Sequence, residues 1–250
     1  MKCLFTGMTD TGLIRAVNQD AYHLDPEGRF FIVADGMGGH VGGQEASRLA
    51  TQVIQSCLDT SWHSTLPSPD LLQKSLLEAN QAILDDQKQH PERSDMGTTV
   101  VIVIFRDDQP LCTHIGDSRL YRLRGSTLEQ MTEDHTWVSR AMRLGEITPD
   151  QARTHPLRHV LAQCLGREDP QQIDVKSLSV QPGDRLLLCS DGLTEELSDQ
   201  LITHQLESIP ACEKAAAALI DAAKEHGGRD NITVVIVAID SLSGSDQRPD

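Results

Sequence analysis

An α+β layered fold is predicted for this chain of 250 residues on three observations. Short, β-branched runs are bounded by Gly, Asp or Pro; two amphipathic helical patterns follow each other with no strand between them; and the order of strands and helices is irregular. A doubly wound parallel sheet would require regular β-α alternation, so layers of antiparallel sheet and helix fit better.

The first clear strand is 30–34, Phe-Phe-Ile-Val-Ala. Residues 44–58 follow, with Ala46, Leu49, Ala50, Val53, Ile54, Cys57 and Leu58 at the three-and-four spacing that gives a helix one buried face. A second helix is predicted with Ser68 as N-cap, Pro69 at the first helical position, and Leu72, Leu76, Ala79 and Ile83 facing inward. Strands come next at 99–105, 111–115 and 120–123. Only Gly116-Asp117-Ser118 separates the last two, which reads as a hairpin. From about 135 to 166 the strand pattern stops, and a helical excursion at the edge of the fold is expected. A strand at 185–189, an alanine-rich helix at 211–224 and a strand at 232–239 complete the reading. Residues 241–250 are polar and read as a disordered tail.

Composition excludes several classes of function. The longest apolar runs, 100–105 and 234–239, span six residues, far short of the roughly 20 that cross a bilayer. No membrane span or secretory leader is expected, which places the protein in the cytoplasm. With 22 basic and 37 acidic residues the formal charge is −15, and only 4 Phe, 2 Trp and 2 Tyr are present. Nucleic acid is therefore a poor partner, since it needs clustered cations and stacking platforms. The six cysteines include no C-x-x-C pair and read as reduced, mostly buried thiols.

Four aspartates stand where the apolar runs end. Asp35 precedes Gly36, Asp191 precedes Gly192, Asp117 follows Gly116, and Asp230 follows Gly227-Gly228-Arg229 ahead of the last strand. Any one Asp-Gly pair is ordinary turn chemistry. Four that converged would repel one another and be driven toward protonation unless cations lay among them. Oxygen ligands without thiolates or paired histidines imply Mg²⁺ or Mn²⁺ in preference to Zn²⁺, with the Gly36 carbonyl a plausible further ligand. The chain has no phosphate-binding Gly-Lys loop, zinc-protease helix or Gly-x-Ser-x-Gly elbow, and no cysteine is followed by arginine six positions later.

In seven segments the sequence resembles the metal-dependent protein serine/threonine phosphatases of the PPM (PP2C) family, in their bacterial form and most of all the cyanobacterial single-domain members. The segments are Arg15-Ala16-Val17-Asn18-Gln19-Asp20, Val33-Ala34-Asp35-Gly36-Met37-Gly38-Gly39-His40, Asp95-Met96-Gly97-Thr98-Thr99, His114-Ile115-Gly116-Asp117-Ser118-Arg119, Asp134-His135, Leu188-Cys189-Ser190-Asp191-Gly192-Leu193 and Gly228-Arg229-Asp230-Asn231-Ile232-Thr233. They run in the family's order over residues 5–240.

The resemblance implies a four-layer αββα sandwich of two antiparallel sheets flanked by helix pairs. It implies one phosphatase domain over residues 1–240, with a flap at about 135–166. Asp35 would bridge two Mn²⁺ or Mg²⁺ ions, the Gly36 carbonyl would bind one, Asp191 and Asp230 would complete the pair, and Asp117 would hold a third, weaker ion. Asp20 would support the ions' waters from behind, and Arg15 would grip the phosphate. A water between the ions would attack phosphorus directly, with His40 as the acid that protonates the leaving oxygen. Phosphorylated proteins are the implied substrates, a PII-type signalling protein among them, and a monomer is expected. His155 and His159 stand four apart, but Pro156 between them favours a solvated helix start over a metal site.

Overall fold

The computed structural model describes residues 3–39, 42–107, 109–168 and 173–240. His40 and the tail 241–250 lie outside the described residues. The chain opens with β1 (Cys3–Asp10), β2 (Asp20–Leu24) and β3 (Phe30–Met37), then forms α1 (Gly42–Ser61) and α2 (Ser68–Gln89). Five strands follow: β4 (Gly97–Thr98), β5 (Val100–Arg106), β6 (Gln109–Ile115), β7 (Arg119–Arg124) and β8 (Thr127–Gln130). The excursion carries α3 (Trp137–Arg143) and α4 (Pro149–Thr154). Last come β9 (Val175–Ser177), β10 (Arg185–Cys189), α5 (Asp191–Thr194), α6 (Asp199–Ser208), α7 (Cys212–Glu225) and β11 (Ile232–Ile239).

Two antiparallel sheets result. One runs β1-β11-β10-β7-β8; the other runs β2-β3-β5-β6-β9, with β4 also paired to β3. Strand residues divide by parity between two kinds of core, as successive side chains must. Phe31, Val33, Val101, Val103, Leu186, Leu188, Val235 and Val237 fill the space between the sheets. Their neighbours Phe30, Ile32, Ile102 and Ile104 pack under α1 and α2, while Leu187, Cys189, Val234 and Ile236 pack under α6 and α7. Strands buried on both faces read as unbroken apolar runs, which is why these were visible in the sequence without alternation. The αββα layering is as expected.

Two local expectations are corrected. The runs flanking Gly116-Asp117-Ser118 do not form a hairpin: β6 pairs with β5 and β9 in one sheet, and β7 with β10 and β8 in the other. The turn is a corner between sheets, and hairpins and corners make the same demand for a tight reversal. Gly116 takes φ +102°, and a Cβ there would stand 2.6 Å from Thr99. Secondly, Pro67 rather than Ser68 is the N-cap of α2, while the Ser68 hydroxyl donates to Asp107 at 2.8 Å. The apolar face of α2 is as predicted, with Leu72, Leu76, Ala79 and Ile83 fully buried. The sequence reading missed β1, whose edge position leaves it half-buried and without a clear pattern. The thiols follow expectation: all six cysteines are free, four of them buried.

Candidate active site

Strand pairing brings the aspartates together. Asp35, at the end of β3, is the register partner of Asp20 at the start of β2. Asp191 begins α5 two residues beyond β10, and Asp230 lies two residues before β11, which pairs with β10 through Cys189 and Val234. Asp117 arrives from the inter-sheet corner. Arg15, Asp35, Gly36, Asp117, Asp191 and Asp230 all line one cleft of about 480 Å³. Close approach at its floor demands glycine: a Cβ on Gly36 would stand 1.9 Å from the Gly43 carbonyl oxygen, where α1 begins.

Asp20 lies behind this lining. Its Oδ2 accepts from the hydroxyls of Ser190, at 2.7 Å, and Thr233, at 2.6 Å. Ser190 also accepts from the Thr233 backbone at 3.0 Å, tying Asp20 to both strands that deliver Asp191 and Asp230. Asn231 fixes the loop that carries Arg15: its Oδ1 accepts from Gln19 N at 2.8 Å, and its Nδ2 donates to the carbonyls of Thr11 and Val17, both at 3.0 Å. Arg15 then donates to Asp230 Oδ2 at 2.6 Å. The structure thus joins the expected phosphate grip and one expected ligand as an ion pair.

Burial and mutual repulsion dominate the electrostatics of these carboxylates. Burial, reinforced by Asp20, Asp191, Asp117 and Asp230, drives Asp35 well above the ordinary carboxylate range. Asp191 is raised likewise by burial and by Asp117, Glu195 and Asp230. Burial and Asp134 push Asp117 up to about 7, and burial pushes Asp20 to about 6 against its two hydroxyl donors. Asp20 Oδ1 and Asp191 Oδ1 are buried with no hydrogen-bond partner. Orphaned buried oxygens beside mutually repelling carboxylates are what an oxygen-coordinated cation site looks like when protein atoms alone are considered.

Over this floor lies the excursion. Its ends are pinned by Trp137 N donating to Val160 O, at 2.8 Å, and Ala162 N to His135 O, at 2.7 Å. Arg158, His159 and Leu161 thereby join Arg15 in lining the cleft. His159 is not at a solvated helix start, as the sequence suggested; its Nδ1 lies 2.5 Å from Glu195 Oε1. His159, Asp191 and Glu195 offer ligand atoms within 4.8 Å of one another. His155, by contrast, stacks on Trp137 at 4.7 Å between ring centroids. Nothing local marks His159 or Glu195 in the sequence, because their meeting depends on where the excursion folds back.

A profile of the protein phosphatase 2C family matches residues 15–227. The chain belongs to the protein phosphatase 2C family. It is 36% identical over 239 residues to the serine/threonine protein phosphatase PstP of Mycobacterium tuberculosis, an alignment that covers 94% of this chain and 45% of PstP. The chain therefore spans less than half the length of that relative. To the serine/threonine phosphatase stp of Listeria monocytogenes it is 36% identical over 241 residues, covering 93% of this chain and 94% of stp. The PstP catalytic domain solved with two manganese ions superposes with a TM-score of 0.82 at 32% identity, over 96% of this chain and 99% of that one.

Proposed function

We propose that this 2C-family chain is a metal-dependent protein serine/threonine phosphatase, hydrolysing phosphoserine and phosphothreonine by direct attack of water. One observation carries the reading: Asp35, Asp117, Asp191 and Asp230 crowd one cleft floor with Asp20 directly behind it, and among the described residues Arg15 alone forms an ion pair with any of them. An all-oxygen donor set of this density fits hard divalent cations, Mg²⁺ or Mn²⁺. The two manganese ions bound by PstP support the same assignment.

Asp35, the Gly36 carbonyl, Asp191 and Asp230 would hold two ions, and Asp117 a third, weaker one. Bound there, the cations supply Lewis acidity toward phosphoryl oxygens and ease the loss of a proton from water. The chain's own residues do the rest. Asp20, anchored by Ser190 and Thr233, keeps Asp35 and its neighbours in register. Arg15 exchanges the Asp230 carboxylate for the phosphate, to which a planar guanidinium donates two parallel hydrogen bonds. Among the described residues no cysteine lines the cleft, which favours direct displacement over a thiol-linked intermediate. His40 is proposed as the acid for the leaving oxygen. His40→Ala then slows phosphoprotein turnover more than turnover of an aryl phosphate, whose leaving group needs no proton; equal losses would remove that role.

The same proposal treats residues 1–240 as one phosphatase domain with residues 135–166 as its flap. It also takes the sequence resemblance to cyanobacterial members as pointing to a phosphorylated PII-type protein among the substrates, the free thiols as favouring a cytoplasmic location, and the protein as a monomer. No described helix is long and apolar enough to cross a membrane. The test compares p-nitrophenyl phosphate with phosphoserine and phosphothreonine peptides, in Mn²⁺ and in chelator. Mn²⁺-dependent release of phosphate from the peptides is expected. Turnover of the aryl ester alone would indicate a small-ester hydrolase, and binding without turnover a phosphoprotein-recognition module.

A further inference from the structure

We propose that the cleft selects phosphorylated segments bearing an aliphatic or aromatic side chain within two residues of the phosphoresidue, and that Ile14 and Val160 supply the surface that reads it. The inference rests on the phosphatase reading and names the substrate class of that same site. Nine large apolar side chains are exposed among the described residues. Five of them, Leu13, Ile14, Val17, Leu157 and Val160, lie in two segments, 13–17 and 157–160, which together form a small fraction of the chain. Singly exposed apolar residues need no explanation. A concentration on two short stretches does.

Those two stretches meet at one cleft, with Ile14 and Val160 standing next in the chain to residues that line it. The first carries Arg15 and the second carries Arg158 and His159, and all three line the same cavity as Asp35 and Asp191. Ile14 is the most exposed of the set at 71%, and Val160 is 45% exposed. Neither stretch is frayed: Leu13 N donates to Gly228 O at 2.7 Å, Asn231 holds the Val17 carbonyl, and Val160 both receives from Trp137 N and donates to Leu157 O at 3.1 Å. These hydrogen bonds tie both stretches to the fold, while Ile14, beside Arg15, and Val160, beside His159, stay exposed.

The occupant that fits is the substrate chain itself. An extended segment advances roughly 3.3 Å per residue, so side chains one or two positions from a phosphate held by Arg15 stay within roughly 7 Å of it along the chain, in reach of the rim to which residues 13–17 and 157–160 belong. Acidic neighbours would approach a chain of overall charge −15. Apolar neighbours would cover the exposed aliphatics and gain the free energy of leaving water.

The experiment is a set of phosphothreonine peptides identical except for one residue, leucine, serine or glutamate, scanned through the two positions on either side. With Mn²⁺, the best leucine peptide is expected to have a kcat/KM about tenfold above its serine counterpart, in the range of discrimination one apolar contact gives. The ratio should fall to about one in the Ile14→Ser/Val160→Ser double variant; because it is taken within each enzyme, a general loss of activity cancels. Equal rates for leucine and serine peptides in the wild type, or a preference retained by the double variant, would overturn the inference and leave the phosphatase reading intact. No turnover of any phosphopeptide would overturn both. A dimer in analytical ultracentrifugation that Ile14→Ser dissolves would assign the patch to a second copy of the chain instead.

Discussion

The floor and the rim of the cleft are built on different principles. On the floor, Asp35 and Asp20 are register partners on adjacent strands, and Asp191 and Asp230 flank a second strand pair. Their positions follow from ladders of backbone hydrogen bonds and from hydroxyls locked behind them. The rim consists of a loop held by Asn231 and of an excursion pinned at its two ends. Its side chains Arg158 and His159 come from an irregular segment, and His159 is placed by a long-range contact with Glu195 at the end of α5. A floor fixed in this way suits chemistry that tolerates no displacement, whereas a rim of exposed side chains can change its selectivity without disturbing that chemistry.

If this division is right, substitutions on the floor cost the most. Asp35→Asn removes the carboxylate central to the cluster, and a loss of about a thousandfold or more in turnover of p-nitrophenyl phosphate is expected, in keeping with the several kcal/mol that bound cations supply. Steady-state assays across a Mn²⁺ series would show whether added metal rescues it; wild-type activity in the variant would erase the distinction between floor and rim. Arg15 stands where the two regions meet. Arg15→Ala should raise KM about ten- to a hundredfold, the loss of hydrogen bonds to a charged group, and an unchanged KM would detach it from the phosphate.

Behind the floor, Asp20→Asn should weaken Mn²⁺ binding about tenfold by calorimetry, as outer partners of metal ligands do. Undiminished affinity would mean that the Ser190 and Thr233 anchors are only structural. On the rim, His159→Ala is expected to change aryl phosphate turnover by no more than about threefold, because the contact it loses is a half-exposed pair with Glu195. A loss matching that of Asp35→Asn would move His159 to the floor.

The smallest effect is one of stability. Native Asp117, at about 7, and Asp35 and Asp191, both raised well above the ordinary carboxylate range, bind protons that their unfolded counterparts have released. Folding stability from these groups is complete below the ordinary carboxylate range and is lost as pH rises through the native values. The buried histidines, whose native values are lowered, are neutral in both states above about pH 7 and do not oppose this. Metal-free protein should therefore melt several degrees lower at about pH 8.5 than at about pH 7, and saturating Mn²⁺ should abolish the fall. A melting temperature indifferent to Mn²⁺ at both values would contradict a shared cation site.

The same contrast governs what could be read from the sequence. Asp35, Asp117, Asp191 and Asp230 were legible because each lies near glycine at one terminus of an apolar run, so chain position encodes spatial position. Arg15 became interpretable through the family resemblance, and the Asn231 side chain shows how its loop is held. The corner at Gly116 was misread because a tight turn between apolar runs says nothing about which sheet each run joins. His159 was set aside on the evidence of Pro156, a sound argument about local helix formation that could not see Glu195 across the cleft. β1 was missed since its edge position and Gly7, which lies under the Tyr22 ring, dilute its pattern.

The most direct test is an anomalous difference map from crystals of the protein grown with Mn²⁺. Two peaks within about 2.0–2.3 Å of carboxylate oxygens, shared among Asp35, Asp191 and Asp230 with the Gly36 carbonyl on one of them, are the expected result. A map with manganese elsewhere and none among these three aspartates would contradict the account.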